Sequence, residues 1–443
     1  MLSRIRILAG KSTRFLYRRL PLSLPVRWRM KSFLYRHLGL LLKNSANYRQ
    51  WLIQTGALRP NPAKTSGSAT AQSPPMLEIG PENPAPSKNP SDPAADPVRL
   101  IAFYLPQYHP IPENDRWWGK GFTEWTNVTK ATPNFAGHYQ PRLPTDLGFY
   151  DLRVPEVRDE QAALAQHYGV YGFCYYYYWF AGKRLLHRPL NEVVQSGHPD
   201  FPFCVCWANE NWSRRWDGLH AEILIAQQHS DEDDLNFIKS LEPALRDRRY
   251  IRINDRPLLL VYRASLLPNP GRTASIWRRY CHEAGLGDFY LAAVQSFGIT
   301  DDPRDFGFDA AVEFPPHAMA VLAERPTRMF NPAFQGMFYD YVATAEVFMN
   351  RPPAPYPFFR TAMPSWDNTA RRQDAGEIFL NAEPECYERW LRRLVELTRW
   401  SRPGPERLVF INAWNEWAEG NYLEPDRKFG HRYLEATRNA LGR

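Results

Sequence analysis

From Val98 onward, short apolar β-type runs alternate with helical patterns, and this alternation narrows the fold more than any other feature of the chain. The spacing predicts strands at Leu100–Tyr104, Val170–Tyr176, Phe203–Trp207, Pro257–Tyr262, Tyr290–Gln295, Ala310–Phe314, Phe358–Met363 and Leu408–Ala413. Several are apolar almost throughout, as strands covered on both faces are. Helical patterns fall between most of them, roughly at 155–168, 186–195, 232–246, 272–284, 338–349, 386–400 and 432–441. Eight strands with intervening helices predict an α/β fold, a (β/α)8 TIM barrel with enlarged loops. An open doubly wound sheet is the runner-up. No GxGxxG turn follows any strand, which counts against it.

What precedes residue 98 has a different character. Of 55 Lys and Arg, 13 lie in residues 1–60, where no Asp or Glu occurs; the remainder carries 42 basic against 47 acidic residues. The net charge of +8 therefore belongs to an arm, and no nucleic-acid partner is expected of the main body. Residues 1–55 read as a basic amphipathic helical arm, with Phe15, Leu20, Trp28 and Leu34 interleaved with Arg14, Arg18, Arg29 and Arg36. No apolar run there approaches the roughly 20 residues that span a bilayer. Charges also interrupt every stretch that could serve a signal peptide. An interfacial helix on an anionic membrane surface is the favoured reading, with a docking arm for a partner protein and an organellar transit peptide as alternatives. Ten prolines between 60 and 97 make residues 56–97 a disordered Pro/Ser/Ala-rich linker, and residues 98–443 the catalytic domain. Five scattered cysteines give neither a disulfide framework nor a zinc spacing, and suit a reducing, cytoplasmic setting.

In a barrel the site lies where strands end at their C-terminal edge. Polar and aromatic residues collect there: Tyr104 and Gln107 with His109 after the first strand, Trp179 after the second, and Trp207, Asn209, Glu210 and Trp212 after the third. Asp367 follows the seventh strand, and Trp414, Asn415, Glu416, Trp417 and Glu419 follow the eighth. Aromatic residues make up 14% of the chain, which a large core or a ring-lined cleft would each explain.

Glu416 and Glu419 carry the chemical argument. Carboxylate pairs do general acid/base work, and indole faces bind sugar rings. Residues three apart point to opposite faces of a strand but share a face of a helical turn, so the pair cooperates only if the chain turns after Asn415. Gly420 permits such a turn. A separation near ~5 Å suits retention and ~6.5–9.5 Å inversion. Glu124 and Trp125, in a long loop after the first strand, are further candidates. Asp231-Glu232-Asp233-Asp234 contains a DxD, but it opens a helical pattern where acids favour the positive end. With no HExxH, CxxC, GxSxG or P-loop, no metal and no organic cofactor is expected.

Tyr104-Leu105-Pro106-Gln107-Tyr108-His109, Trp117-Trp118-Gly119, Gly121-Phe122-Thr123-Glu124-Trp125, Trp207-Ala208-Asn209-Glu210-Asn211-Trp212 and Asn415-Glu416-Trp417-Ala418-Glu419-Gly420 occur in this order. Over residues 98–443 the chain resembles the WbsX-type proteins of bacterial polysaccharide and O-antigen clusters. Those are related to glycoside hydrolase family 99, the endo-α-1,2-mannosidases and mannanases. The resemblance implies a (β/α)8 barrel acting on glycans with retention. It implies Glu416 as base toward the sugar's own 2-hydroxyl and Glu419 as acid/base at the leaving oxygen. The expected substrate is an oligosaccharide or lipid-linked glycan of the bacterial surface, met at the inner face of the cell membrane. Two further readings stay open: a sugar-nucleotide-dependent glycosyltransferase of O-antigen or capsule assembly, and a non-catalytic glycan-binding module.

Overall fold

The computed structural model describes residues 97–213, 223–317 and 319–442. The basic arm at 1–55 and the linker up to residue 96 lie outside the described residues.

Eight parallel strands close on themselves. They are β1 (Arg99–Tyr104), β2 (Val170–Phe180), β3 (Phe203–Trp207), β4 (Arg256–Val261), β5 (Tyr290–Gln295), β6 (Ala310–Glu313), β7 (Phe358–Ala362) and β8 (Leu408–Ile411). Each pairs with its sequence neighbours, and β8 returns to β1 through Arg99↔Leu408 to Ala102↔Ile411. The fold is therefore a (β/α)8 barrel, with all eight strands where the apolar runs place them. The barrel strands are buried along almost their whole length, because helices cover the outside and side chains fill the inside.

Alternation along each strand decides which side chains look inward. On β1, Phe103 meets Tyr176 of β2 and Phe410 of β8 at centroid distances of 5.7 and 5.6 Å. Its neighbour Tyr104 points the other way and donates to Gln161 at 2.7 Å. On β2, Tyr177 and Trp179 pack on Phe237, while Tyr176 and Tyr178 face the interior. Cys206 looks inward beside Tyr176, and burial pushes its thiol up, so it is an unreactive packing group.

The outer layer holds α1 (Pro112–Trp118), α2 (Glu124–Lys130), α3 (Pro155–His167), α4 (Arg188–Ser196), α5 (Asp231–Leu245), α6 (Pro270–Glu283), α7 (Tyr341–Met349), α8 (Thr369–Arg372), α9 (Pro384–Ser401) and α10 (Arg432–Ala440). The acidic run opens α5, with the Ser230 side chain accepting from Asp233 N at 3.0 Å, a standard N-cap. One expected helix needs correction. The 338–349 pattern splits, because Met337–Asp340 pairs as a strand with Glu377–Leu380 and Asp340 caps the helix that follows. Among the described residues no helix is long and apolar enough to cross a membrane. No cluster of metal-type ligands occurs among them either.

The enlarged loops matter most for the site. The segment between β1 and α3 carries α1, α2 and an irregular stretch through 131–154. The β7 exit carries α8, and the β8 exit carries a small hairpin, Asn415–Glu416 paired with Asn421–Tyr422.

Candidate active site

The chain leaves β8 fully buried and reaches the hairpin, where the turn Trp417–Glu419 is a single 3-10 coil ending at Gly420 with φ 59°. That coil brings Glu416 and Glu419, three residues apart, toward one partner. Arg371 of α8 donates from Nη2 to Glu416 Oε2 at 3.0 Å and from Nη1 to Glu419 Oε1 at 2.5 Å. Its Nε reaches Glu124 Oε2, at the start of α2, at 3.1 Å. The exits of β1 and β8 thus deliver three carboxylates to the guanidinium carried by the β7 exit, with side-chain exposures of 4, 7 and 15% for Glu124, Glu416 and Glu419.

One positive charge faces three acids out of water. Burial is the largest influence on Glu416, and with Glu419 and Glu124 nearby it pushes the carboxyl up to about 8 despite Arg371. Burial also raises Glu419, with Arg371 opposing and Glu124 adding. Burial works against the Arg371 charge, but the three acids overcome it and hold the guanidinium well above its usual range. A carboxyl kept protonated near neutrality beside a carboxylate is what acid/base catalysis uses.

A second set of residues fixes this geometry. Asp367, fully buried, takes hydrogen bonds from Gln140 Nε2 at 2.8 Å and Thr369 Oγ1 at 2.6 Å and lies 2.7 Å from His138 Nε2. Burial would raise it, but His138 and Arg142 hold it well below the usual carboxylate range. Thr369 N also donates to Asp367 at 3.1 Å, an Asx-type turn that leads into the helix bearing Arg371. The Asp367 N–H donates to Glu419 O at 2.6 Å, tying the β7 exit to the β8 turn. Gly420 sits so close that a Cβ there would lie 2.9 Å from Asp367 O. Asn415 accepts from Leu105 N at 2.8 Å and donates to Leu105 O at 3.1 Å. Tyr108 donates to Asn415 O at 2.5 Å. Under the turn, Glu424 takes bonds from Trp417 Nε1 and Gln161 Nε2, both at 2.6 Å, and from Tyr150 at 2.8 Å; burial pushes it up to about 7.

The sequence-derived candidates therefore divide. Glu416, Glu419 and Glu124 meet at Arg371. Asp367 and Asn415 brace them. Trp417 stacks on Tyr422 at 3.8 Å and lies 5.6 Å from Trp125, whose Nε1 donates to Tyr150 O; both indoles are packing beneath the turn rather than open sugar platforms. Gln107 contributes its carbonyl, which accepts from Glu124 N at 3.1 Å, and its side chain is buried.

Asn209 ties β3 to β4 through reciprocal bonds with Arg263, and Glu210 pairs with the same arginine at 2.6 Å. Trp212 stacks on Tyr178 at 5.2 Å.

Four candidates are not brought to the pair, because strand parity turns them outward or into the core. Tyr104 binds Gln161 of α3, and Trp179 donates to Asp233 of α5. Trp207 stacks on Phe237, and Trp414 packs on Phe173. His109 is also apart: burial lowers it to about 4, and its charged neighbours are Asp151, Arg153 and Arg188.

Residues not singled out from the sequence take their places. The inward tyrosines Tyr176 and Tyr178 lie within electrostatic reach of Glu416, and Tyr262 within reach of Glu419, each carboxylate adding to burial in raising the phenol. From Tyr262 the rings continue through Phe314 at 5.2 Å to His317, which stacks on Phe297 at 4.1 Å and faces Trp366 edge-on. Trp366 Nε1 and His317 Nδ1 are buried without a protein partner among the described residues. No polar alternation in the sequence marks which β2 aromatics face inward, and no local spacing places Arg371 beside the two glutamates.

A family model described as Glycosyltransferase WbsX matches residues 100–437. The chain belongs to the WbsX glycosyltransferase family. It is 53% identical over 350 residues to the uncharacterized protein WxcX from two strains of Xanthomonas campestris pv. campestris. That match covers 78% of this chain and 50% of the relative, so this WbsX-family chain spans about half the length of the curated proteins it matches. Among solved structures it is similar to a glycoside hydrolase-like protein (13% identity, TM-score 0.49, 78% of this chain and 94% of the other). It is also similar to the GH99 endo-alpha-mannosidase from Bacteroides thetaiotaomicron bound to bis-tris-propane (14% identity, TM-score 0.48, 78% and 96%).

Proposed function

We propose that this WbsX-family barrel cleaves or transfers an α-linked, mannose-like sugar of a bacterial surface polysaccharide or its lipid-linked precursor, with retention of configuration. The observation that carries the reading is the convergence of Glu416 and Glu419 on one buried guanidinium within electrostatic reach of three inward tyrosines. In the first step Glu416 takes the proton of the sugar's 2-hydroxyl and that oxygen attacks C1. The glycosidic bond breaks, and Glu419 gives its proton to the departing oxygen. In the second step Glu419 takes a proton from water or from an acceptor hydroxyl as the oxygen of that water or hydroxyl attacks C1, the C1–O2 bond breaks, and Glu416 returns its proton to O2. Hydrolysis and transfer differ only in which hydroxyl enters. The pair, rather than either residue, holds the one proton the first step consumes.

Tyr178, backed by Trp212, and Tyr262 offer flat apolar faces to a sugar ring, while Glu210, Trp366 and His317 offer hydrogen bonds. The arm at 1–55 would hold the enzyme at the cytoplasmic membrane face where lipid-linked precursors are assembled.

The test is proton NMR of reactions with α-1,2-linked manno-oligosaccharides, alone and with acceptor sugars. Early formation of the α-anomer, or of an α-linked transfer product, supports the reading. An initially formed β-anomer, or turnover only with a nucleotide sugar, overturns it. Binding of glycans unchanged by Glu416→Gln, with no turnover, would instead point to a binding module.

A further inference from the structure

We propose that Arg371 and Glu124 are positioning residues that set the charge of the Glu416–Glu419 pair: one guanidinium, shared among three acids, fixes one oxygen of each reacting carboxylate and leaves negative charge in excess, so that the cluster retains a proton. The inference rests on reading Glu416 and Glu419 as the reacting pair.

The geometry carries it. Each nitrogen of the Arg371 fork addresses a different acid, at 3.1, 3.0 and 2.5 Å for Nε, Nη2 and Nη1. A planar fork has no freedom to move one acceptor without tilting the others, which a lysine ammonium would allow. Arg371 holds Glu416 by Oε2 and Glu419 by Oε1, so the second oxygen of each lies outside the fork and can address a substrate. Glu124 differs from the other two. It sits on α2, at the far side of the guanidinium, and its backbone N–H is pinned to Gln107 O. It competes for the positive charge without needing to touch a sugar.

Charge accounting gives the consequence. Three ionised acids against one guanidinium leave two negative charges in a site closed to water, and like charges this near disfavour ionisation. The other cation at this turn, Arg142, donates to Gly420 O at 2.9 Å and is answered by Asp367, while Tyr108, Tyr176, Tyr178 and Tyr262 are neutral and Glu377 and Glu424 are further acids. Retaining one proton is the remaining relief. Remove Glu124 and Arg371 belongs to the pair alone, so the proton is released at lower pH.

The test needs no substrate. The full chain is labelled with carboxyl-13C glutamate, and the Glu416 and Glu419 signals are assigned from Glu416→Gln and Glu419→Gln. In the native protein one signal of the cluster should remain protonated through neutrality, and cluster carboxyls all ionised by about pH 6 would overturn the proposal. In Glu124→Gln the last proton should leave the pair at least about one pH unit lower, the scale of a nearby like charge; an unchanged titration in the folded variant would also overturn it. Arg371→Lys should keep more of the native signal dispersion than Arg371→Met. Equal loss in both would remove the charge role and leave only packing. Should no glycan be turned over, the proposed reaction falls and the clamp stands; should the titration fail, the reverse holds.

Discussion

Glu419 is the residue on which the chemistry is most exposed to refutation. If it gives and retakes the proton at the leaving oxygen as proposed, its replacement by Gln should lower kcat by at least about 100-fold. Rates within a few-fold of native would remove the assignment. Glu416→Gln should act on stability as well as rate. Burial raises its folded carboxyl to about 8 as one member of a pair that shares a proton, so the pair's contribution is fully present below the unfolded value and is lost as pH rises through about 8. A neutral amide escapes that loss. The variant should therefore melt higher than native at pH 8 by the equivalent of about 1 kcal/mol or more, and show a smaller gain at pH 5. Calorimetry at both values checks it, and an equal gain at the two would contradict the raised carboxyl.

At the scale of elements, β2 shows what was legible and what was not. Its existence and limits followed from an apolar, aromatic run. Its parity did not, because six consecutive aromatics, Tyr175 to Phe180, give no polar face to mark the outside. Trp179, a site candidate from the sequence, faces α5, whereas Tyr176 and Tyr178 face the interior. The two faces should separate in experiment. Tyr178→Ala should raise KM about tenfold or more through a lost ring contact, with modest loss of stability. Trp179→Ala should cost about 3–5 kcal/mol of stability, with KM nearly intact in the folded protein. The β8 hairpin was legible for another reason: two acids, two indoles and a glycine had to turn to share a face. Gly420→Ala tests that turn. A left-handed residue costs about 1 kcal/mol without glycine, and the contact with Asp367 adds to it. Melting should fall by several degrees and kcat with it, since the shifted coil carries Glu419. Arg371 was not legible. It lies 45 residues before Glu416 in sequence, and only the closed barrel makes them neighbours.

For the whole molecule, the regular alternation of strands and helices was enough to predict a closed barrel. The loops that carry the candidate site were not, since the helices after β1 and β7 are short and carry little periodicity. The basic arm is a separate question of charge. Deleting residues 1–55 should release the protein from vesicles containing anionic lipid at moderate salt, and leave the barrel's melting temperature unchanged. Unchanged co-sedimentation would remove the membrane assignment.

The short amide-to-carbonyl bond from Asp367 to Glu419 has a practical corollary for anyone recombining such proteins. Segments taken from a homologue after the seventh and eighth strands are halves of one part. Transplanted singly, either would arrive without its counterpart and leave its acids badly aimed; exchanged as a matched set, they should carry their proton chemistry into a new host barrel.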